Sequence, residues 1–321
     1  MRFLATARRA FLECAFMGLL LSSADAPASA QAALTPVIVG PLNSASAAGL
    51  YYAFQQGLFA KAGLDVKIQT MQSGSVAVAG AVGGAINIGY GNTLTVIQAH
   101  AKQIPVSLLA PGSLYQAQVP VALLLVASDS TLKTPQDFIG KIIGVASLND
   151  LTVLAIKAWL EHGNVDSTKV SFVEVPPAGA INALNTNRVA AITLYDPFLG
   201  SALAQGAKVI AKPYDFIAPT FLISAWFVSN QWAADHRDAA LTFARVLEQV
   251  TPYVSAHYDD LLPMISKFTG VSVENLAKMP KGVVPTSMRA AMLQPVIDSA
   301  VHFKAIAERF KAQDVILPGA P

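Results

Sequence analysis

The strongest constraint on the fold is a unit that occurs twice along the chain. Gly74 precedes Tyr90 by 16 residues, and Gly179 precedes Tyr195 by the same 16 residues. In both cases the glycine follows a β-rich run, opens a helix of small residues and leads into an apolar strand that ends at the tyrosine. A shared order of elements at equal spacing indicates an internal duplication and predicts two related lobes.

Each copy of this unit alternates short apolar runs with helix-like segments. The runs of the first copy are TPVIVGPL (35–42), LDVKIQTM (64–71) and AINIGY (85–90). Those of the second are KIIGVAS (141–147), KVSFVEV (169–175) and AAITLY (190–195). This β-α-β-α-β order is typical of a parallel sheet flanked by helices. The predicted fold class is therefore α/β, with two lobes that each contain a mostly parallel sheet.

Two extended segments are expected to connect the lobes. They lie near VALLLVAS (121–128) on the way out and FLISAWFVS (221–229) on the way back. Two crossings of this kind form a hinge rather than a flexible linker. The prediction assigns residues 31–124 and 222–321 to lobe one and residues 125–221 to lobe two.

Past Ser229 the pattern becomes helical. Helices are predicted over 234–258, 260–268, 273–279 and 287–312, and Pro252 and Pro295 are expected to kink or interrupt the long ones. Apolar stripes on these helices need a surface to bury against. We therefore expect this tail to pack on lobe one, in a structural role.

The first thirty residues have the layout of an export signal. Arg2, Arg8 and Arg9 precede an apolar stretch over 14–21, and Ala-Ser-Ala at 28–30 offers a cleavage site. The paired arginines in ARRAFLE (7–13) resemble the twin-arginine export signal, with the ordinary Sec route as the alternative. We expect cleavage near Ala30 and a periplasmic mature protein.

Several kinds of chemistry have no sequence support. The only cysteine, Cys14, lies in the expected signal, so thiol nucleophiles and disulfides are excluded from the mature chain. The five histidines show no i, i+3 or i+4 pair, and there is no G-x-S-x-G or P-loop motif. The 22 basic and 20 acidic residues form no basic stripe for nucleic acid. We expect a binding protein rather than an enzyme, with no metal or cofactor.

The loops that follow the predicted strands carry the polar side chains that a ligand could use. In open α/β sheets, ligands bind in the crevice beyond the carboxyl ends of the strands, where loops enter helices. Here those loops are rich in Ser, Asn, Thr, Gly and Tyr, as in NSASAAG at 43–49. Free backbone N–H groups at helix starts, with hydroxyls beside them, can hold an oxyanion without any arginine.

Four segments, in order, resemble a known family. They are YYAFQQGLFAKAGLDVKI (51–68), SGSVAVAGAVGGAINIGY (73–90), LKTPQDFIGKIIGVAS (132–147) and PPAGAINALNTNRVAAITLYDPF (176–198). The chain is similar to the periplasmic solute-binding proteins of ABC importers in the nitrate, sulfonate and taurine group, which includes binders of thiamine-precursor pyrimidines. The resemblance implies a two-lobed type II periplasmic-binding-protein fold that closes on a small molecule. It also implies a monomer that docks on an inner-membrane permease with its ATPase.

The resemblance and the loop positions together give a set of candidate ligand-binding residues. For each of them the alternative is a structural role, as a helix cap or turn residue for the polar ones and in the core for the aromatic ones. The candidates are Asn43, Ser44, Ser46, Tyr52, Ser73, Gly74, Tyr90, Asn92, Asn149, Thr152, Tyr195, Asp196 and Trp226.

The ligand class stays open at this level. No arginine or lysine falls in the candidate loops, which favours a monoanion such as a sulfonate or carboxylate over a divalent anion. Asp150 and Asp196 could instead recognise an amine or a ring N–H, as in a taurine-like zwitterion or an aminopyrimidine. Two further alternatives are a periplasmic sensor lobe and an enzyme of the related pyrimidine-synthase branch, whose cysteine-rich signature has no counterpart here.

Overall fold

A computed structural model describes residues 33–119, 121–195 and 198–321 of the chain. The expected export signal, residues 1–30, lies outside the described residues. Within the described ranges, no helix is long and apolar enough to cross a membrane.

The first of two five-stranded sheets is built from the first copy of the repeated unit. Its strands are β1 (Thr35–Gly40), β2 (Leu64–Ile68), β3 (Ile88–Asn92), β4 (Val106–Pro111) and β12 (Ser224–Ser229). Their order is β2-β1-β3-β12-β4, in which β1 pairs with β2 and β3 in parallel. Strand β12 pairs antiparallel with both β3 and β4.

The second sheet repeats this arrangement. Its strands are β6 (Leu123–Val126), β7 (Ile142–Val145), β8 (Ser171–Glu174), β9 (Ala191–Leu194) and β10 (Lys208–Ala211), in the order β10-β6-β9-β7-β8. Strand β7 pairs in parallel with β8 and β9, as β1 does with β2 and β3. Strand β6 lies antiparallel beside β9, as β12 does beside β3. The predicted duplication is therefore present in the strand order itself.

Helices cover both faces of each sheet because their apolar faces need a partner. On the first sheet, one face carries α1 (Ala48–Gln55), α2 (Leu58–Lys61) and the tail helices α8 (Asn230–Asp235), α9 (Arg237–Ala256), α10 (Leu262–Thr269) and α11 (Val273–Lys278). The other face carries α3 (Gly74–Val82), α4 (Thr93–Ala101) and α12 (Gln294–His302). The second sheet packs against α5 (Leu151–His162) on one face and against α6 (Pro177–Asn185) and α7 (Phe198–Ala204) on the other. This is the predicted α/β fold with two sheet-based lobes.

The two connections between the sheets lie slightly away from their predicted positions. Strands β5 (Leu114–Gln116) and β11 (Thr220–Leu222) pair antiparallel as a separate two-stranded ribbon. The expected outgoing segment, 121–128, instead holds β6 of the second sheet, and most of 221–229 is β12 of the first sheet. Both runs are apolar because they are buried sheet strands. Since β6 begins at Leu123, the second sheet begins within the range predicted for lobe one, and the exact lobe boundaries stay a prediction.

The tail packs on the first sheet as expected, but one of its helices is much shorter than predicted. In place of a helix over 287–312, α12 spans only Gln294–His302. Pro295 lies in the first turn of α12, where a missing backbone N–H costs nothing. Lys304 takes a left-handed φ of 57° and ends the helix. Pro252, by contrast, is accommodated inside the continuous helix α9.

Candidate functional site

The loop after β1 brings two serine hydroxyls toward the end of the sheet. A 3-10 turn at Ala45–Ala47 leads from this loop into α1. Ser44 caps that turn, because its hydroxyl accepts a hydrogen bond from the backbone N–H of Ser46 at 3.3 Å. The small residues of the NSASAAG stretch therefore let the chain turn tightly at the carboxyl end of a central strand.

These serines belong to a group of five side chains that we call the hydroxyl cluster: Ser44, Ser46, Tyr90, Ser113 and Ser224. Tyr90, in β3, is buried, and its hydroxyl lies 2.6 Å from Oγ of Ser224 at the start of β12. Ser224 Oγ also accepts a hydrogen bond from the backbone N–H of Ser113 at 2.9 Å and lies 2.7 Å from Ser113 Oγ. Burial raises the pKa of Tyr90, and hydrogen bonds to Ser224, Ser46, Ser113 and Ser44 partly offset that rise.

A single carboxylate, Asp150, comes from the second sheet. It follows β7 and caps α5, because Oδ1 accepts hydrogen bonds from the backbone N–H of Thr152 at 2.8 Å and from its hydroxyl at 3.0 Å. Both bonds go to Oδ1, and Oδ2 has no partner among the described residues. Burial raises the pKa of Asp150 above its ordinary value, with the two bonds from Thr152 acting against that shift.

Two tyrosines lie near Asp150. Tyr195 directly follows β9 and is 44% exposed, which leaves much of its ring free for contact. Burial and the negative charge of Asp150 both raise the pKa of Tyr195. Tyr214 is buried, and the same two causes hold its pKa well above the ordinary value.

The hydroxyl cluster and Asp150 line one cavity of about 770 Å³. Its wall takes residues from the first sheet, from the segments after β7 and β9 of the second sheet, from the crossing strand β5 and from the tail. Ligand pockets for small organic molecules have volumes of about 300–1,000 Å³. The sequence-predicted residues that line it are Asn43, Ser44, Ser46, Tyr90, Asn92, Thr152, Tyr195 and Trp226.

The other predicted residues lie elsewhere in the described structure or outside it. Tyr52 faces α9 and stacks on Tyr253 with ring centroids 5.0 Å apart. Ser73 caps α3 by accepting from the backbone N–H of Val76, Gly74 begins that helix, and Asn149 is exposed beside Asp150. None of these four side chains is in the cavity wall. Asp196 lies outside the described residues.

Two of the cavity-lining predictions also carry a clear structural role. Asn92 caps α4 by accepting from the backbone N–H of Leu94 at 2.8 Å. Trp226 is buried between Tyr90 and Phe243, with ring centroids 4.7 and 5.6 Å away. The structural alternative considered for each of these residues thus coexists with its position in the wall.

Sequence reasoning missed several wall residues. Ser224 had one signal, because it is a polar side chain inside the apolar run FLISAWFVS. Ser113 and Tyr214 had none, since neither lies in a strand-to-helix loop of the repeated unit. A further part of the wall comes from the tail, for which the sequence predicts only a packing role. The tail residues in the wall include Leu247, Thr251, Val254, Leu276, Met279 and Lys281.

The charges in the wall are few. Among the described lining residues, Asp150 and Lys281 are the only charged side chains. Lys281 lies on the tail, outside the loops in which the sequence suggested no cation. Its Nζ lies 2.7 Å from Oδ2 of Asp259, and both side chains are more than half exposed. The unpaired charge in the described wall is therefore the carboxylate. Among residues 33–119, 121–195 and 198–321, there is no group of three side chains suited to hold a metal ion.

Comparison with known proteins decides the family. The NMT1/THI5-like family model matches residues 44–260, about two thirds of the chain. The chain belongs to the NMT1/THI5-like family. A protein of Brucella abortus (strain 2308) named only as a binding protein is 22% identical over 274 residues, covering 81% of this chain and 80% of the relative.

Solved structures share the fold of this family member. The periplasmic aliphatic sulphonate-binding protein SsuA of Escherichia coli superimposes with a TM-score of 0.73 at 16% identity, covering 89% of this chain and 98% of SsuA. The alkanesulfonate-binding SsuA of Xanthomonas axonopodis pv. citri, bound to MOPS, gives 0.71 at 17% identity, covering 89% and 99%. At these identities the likeness establishes the periplasmic-binding-protein fold.

The hydroxyl cluster generates a stability prediction. Ser224→Ala removes the partner of a buried tyrosine hydroxyl and of the Ser113 N–H, and we expect a loss of about 1–3 kcal/mol in the free energy of unfolding. Ser75→Ala is the control, because Ser75 is exposed and bonds only the exposed Ser73 hydroxyl. The control should stay within about 0.5 kcal/mol in urea titrations. Equal stability of both variants would contradict the hydrogen bonding described for the cluster.

Asp150 generates a prediction on pH. Its folded-state pKa is raised, so its contribution to stability is greatest below the ordinary pKa and is lost as the pH rises through the folded-state value. Asn can cap α5 in its place without the charge. Relative to Asp150→Asn, the wild type should therefore lose stability as the pH is raised from about 4 to 7, as measured by melting temperature.

A matched control for this prediction lies sixteen residues further on, at exposed Asp166. It accepts from the backbone N–H and hydroxyl of Thr168 in the same way, but those bonds lower its pKa. Its contribution is present above the ordinary pKa and lost as the pH falls. Asp166→Asn should therefore give the opposite trend. The same trend for both variants would show that Asp150 is not buried as described.

Proposed function

We propose that the chain is an exported solute-binding protein that captures a small organic ligand in the cavity between its two sheets and delivers it to an ABC import permease. The observation that carries this proposal is the cavity wall, which joins residues after β1 and β3 to Asp150 and Tyr195 after β7 and β9. The paired crossings β5 and β11 form a two-strand connection about which the sheets can move. Membership of the NMT1/THI5-like family and the SsuA-like fold support the same function.

The remaining parts of the proposal concern location and assembly. Residues 1–30 act as an export signal, through the twin-arginine or the Sec route, and the mature protein works in the periplasm. It acts as a monomer without a cofactor and binds its ligand rather than transforming it. Its partner is the inner-membrane permease with its ATPase.

The wall favours one of the ligand classes that the sequence leaves open. A sulfonate or carboxylate monoanion would rest on hydroxyls and backbone N–H groups, with the Asp150 carboxylate in the same wall. Lys281 could balance the charge of Asp150 only if its ion pair with Asp259 were broken. An amine or ring N–H would instead gain a charge-assisted hydrogen bond at the unpartnered Oδ2 of Asp150, worth about 1.5–3 kcal/mol. We therefore propose a ligand with an N–H donor head, which includes both the taurine-like zwitterion and the aminopyrimidine.

The experiment that tests this function combines a ligand screen with solution scattering. Mature protein purified from the periplasm is screened by thermal shift against taurine, aminopyrimidines, alkanesulfonates, nitrate and aromatic carboxylates. A ligand at 100 times its Kd adds about 2.7 kcal/mol to the free energy of unfolding, which is readily detected.

Small-angle X-ray scattering with the best ligand at saturation should then show a smaller radius of gyration, because the sheets close on the occupant. Tyr195→Ala should weaken binding more than it lowers the melting temperature, since much of the Tyr195 ring is exposed. Turnover of a screened compound without any binding shift would contradict the binding-protein function. An unchanged radius with bound ligand would contradict closure.

A further inference from the structure

The cavity extends beyond the sheet ends into the helical tail. The tail residues of its wall, which we call the side chamber, come from α9, the end of α10, α11 and the segment after it. They are Leu247, Thr251, Val254, Ser255, Tyr258, Thr269, Val271, Leu276 and residues 279–284. The four on α9, Leu247, Thr251, Val254 and Ser255, recur at intervals of four, three and one residues, which places them on one helix face. A continuous strip of the tail therefore faces the cavity.

The side chamber offers a ligand mainly apolar surface. Its half-buried apolar residues are Val271, Met279, Val283 and Val284, while Leu247, Val254 and Leu276 also line it but are buried core residues. The two threonines of the chamber do not supply free donors, because each hydroxyl donates to a carbonyl of its own helix. Thr251 Oγ1 donates to Leu247 O at 2.8 Å, and Thr269 Oγ1 donates to Ile265 O at 2.7 Å.

One wall of the chamber is a short segment, Met279–Val284, that is fixed at two points. The backbone N–H of Leu114, in crossing strand β5, donates to the carbonyl of Val283 at 2.7 Å. Lys281 forms its exposed ion pair with Asp259. The segment thus ties the side chamber to the ribbon that connects the sheets. An occupant of the chamber contacts an element bonded to that ribbon.

The cavity is larger than a small ionic solute requires. At about 770 Å³ it lies in the upper part of the range for pockets that hold small organic molecules, about 300–1,000 Å³. Most of the side chains in the side chamber are apolar, whereas the rest of the wall mixes apolar residues with the hydroxyl cluster and Asp150. Size and division of polarity together point to a ligand with two chemically different ends.

Building on the proposed function, we propose that the ligand is amphipathic: an N–H-bearing head binds at Asp150 and the hydroxyl cluster, and an aliphatic or aryl body fills the side chamber. The chemical class is a lipophilic amine or N-heterocycle. Burial of each methylene contributes enough to raise affinity about three- to fourfold. Affinity should therefore rise with chain length until the chamber is full.

The test uses calorimetry on the mature protein with a homologous series of primary amines: ethyl-, butyl-, hexyl- and octylamine. Affinity should increase about three- to fourfold per methylene along the series. Val284→Thr keeps a similar side-chain shape and lies outside any helix, so no carbonyl one helical turn earlier takes up its hydroxyl, and the increase per methylene should become smaller. Val273→Thr is the control, because Val273 is exposed on α11 and lies outside the cavity wall. Asp150→Asn should weaken every amine by a similar factor and leave the increase per methylene unchanged.

The outcomes separate this inference from the proposed function. Equal affinity along the series, or a dependence that Val284→Thr leaves intact, would overturn the side chamber as the body site. Tighter binding of the matching alkanesulfonates would overturn the N–H head. In either case binding of some solute with closure would leave the solute-binding function standing. Failure of the whole screen, with amines and sulfonates alike, would overturn the function itself.

Discussion

The whole arrangement depends on how the chain passes between its two sheets. In each sheet, three parallel strands come from one copy of the repeated unit. One antiparallel strand, β12 in the first sheet and β6 in the second, follows a strand of the ribbon that connects the sheets. Strand β12 begins at Ser224, two residues after β11 ends, and β6 begins seven residues after β5 ends. Because these strands are hydrogen-bonded within their sheets, each end of the crossing ribbon is anchored to one sheet. Both sets of strand ends therefore face one shared cavity.

Ser224 links this backbone arrangement to the hydrogen bonding of the cavity wall. The first residue of β12 meets Tyr90 of β3 and Ser113 beside β5, so one buried hydroxyl joins a sheet strand to the crossing. The first-lobe side of the cavity is thereby held in place before any ligand arrives. Asp150 faces the same space from the second sheet on a helix start, with one carboxylate oxygen used in capping and the other available. Fixed hydroxyls opposite a desolvated carboxylate suit a ligand that brings its own N–H groups.

Much of the fold could be predicted from the sequence because the duplication leaves a regular signal. The equal spacing from Gly74 to Tyr90 and from Gly179 to Tyr195 corresponds to matching strand orders in the two sheets. The boundary errors have local causes. The apolar runs that were predicted to connect the lobes are strands inside the sheets. A fully buried strand and a buried connection have the same apolar sequence pattern, so the sequence does not distinguish them. The overlong final helix arose because apolar periodicity continues past Lys304, where the backbone turns left-handed.

The candidate site was predictable mainly at strand ends and in the loops that follow them. The cavity wall contains Asn43, Ser44, Tyr90 and Thr152 for that reason. Tyr52 lies on α1 and stacks instead on Tyr253 of α9. No local sequence feature indicates a functional role for the tail residues, because their apolar pattern is typical of core residues. Only the three-dimensional packing of α9 and the segment after α11 brings them to the cavity.

The central claim is that this cavity selects a solute with an N–H head and an apolar body. The most direct measurement is native mass spectrometry of the protein isolated from the cells that naturally produce it, followed by identification of the released solute. The account predicts a bound organic molecule that carries an amine or ring N–H together with an alkyl or aryl portion. A co-purified anion without any N–H group, such as nitrate or a simple alkanesulfonate, would contradict it.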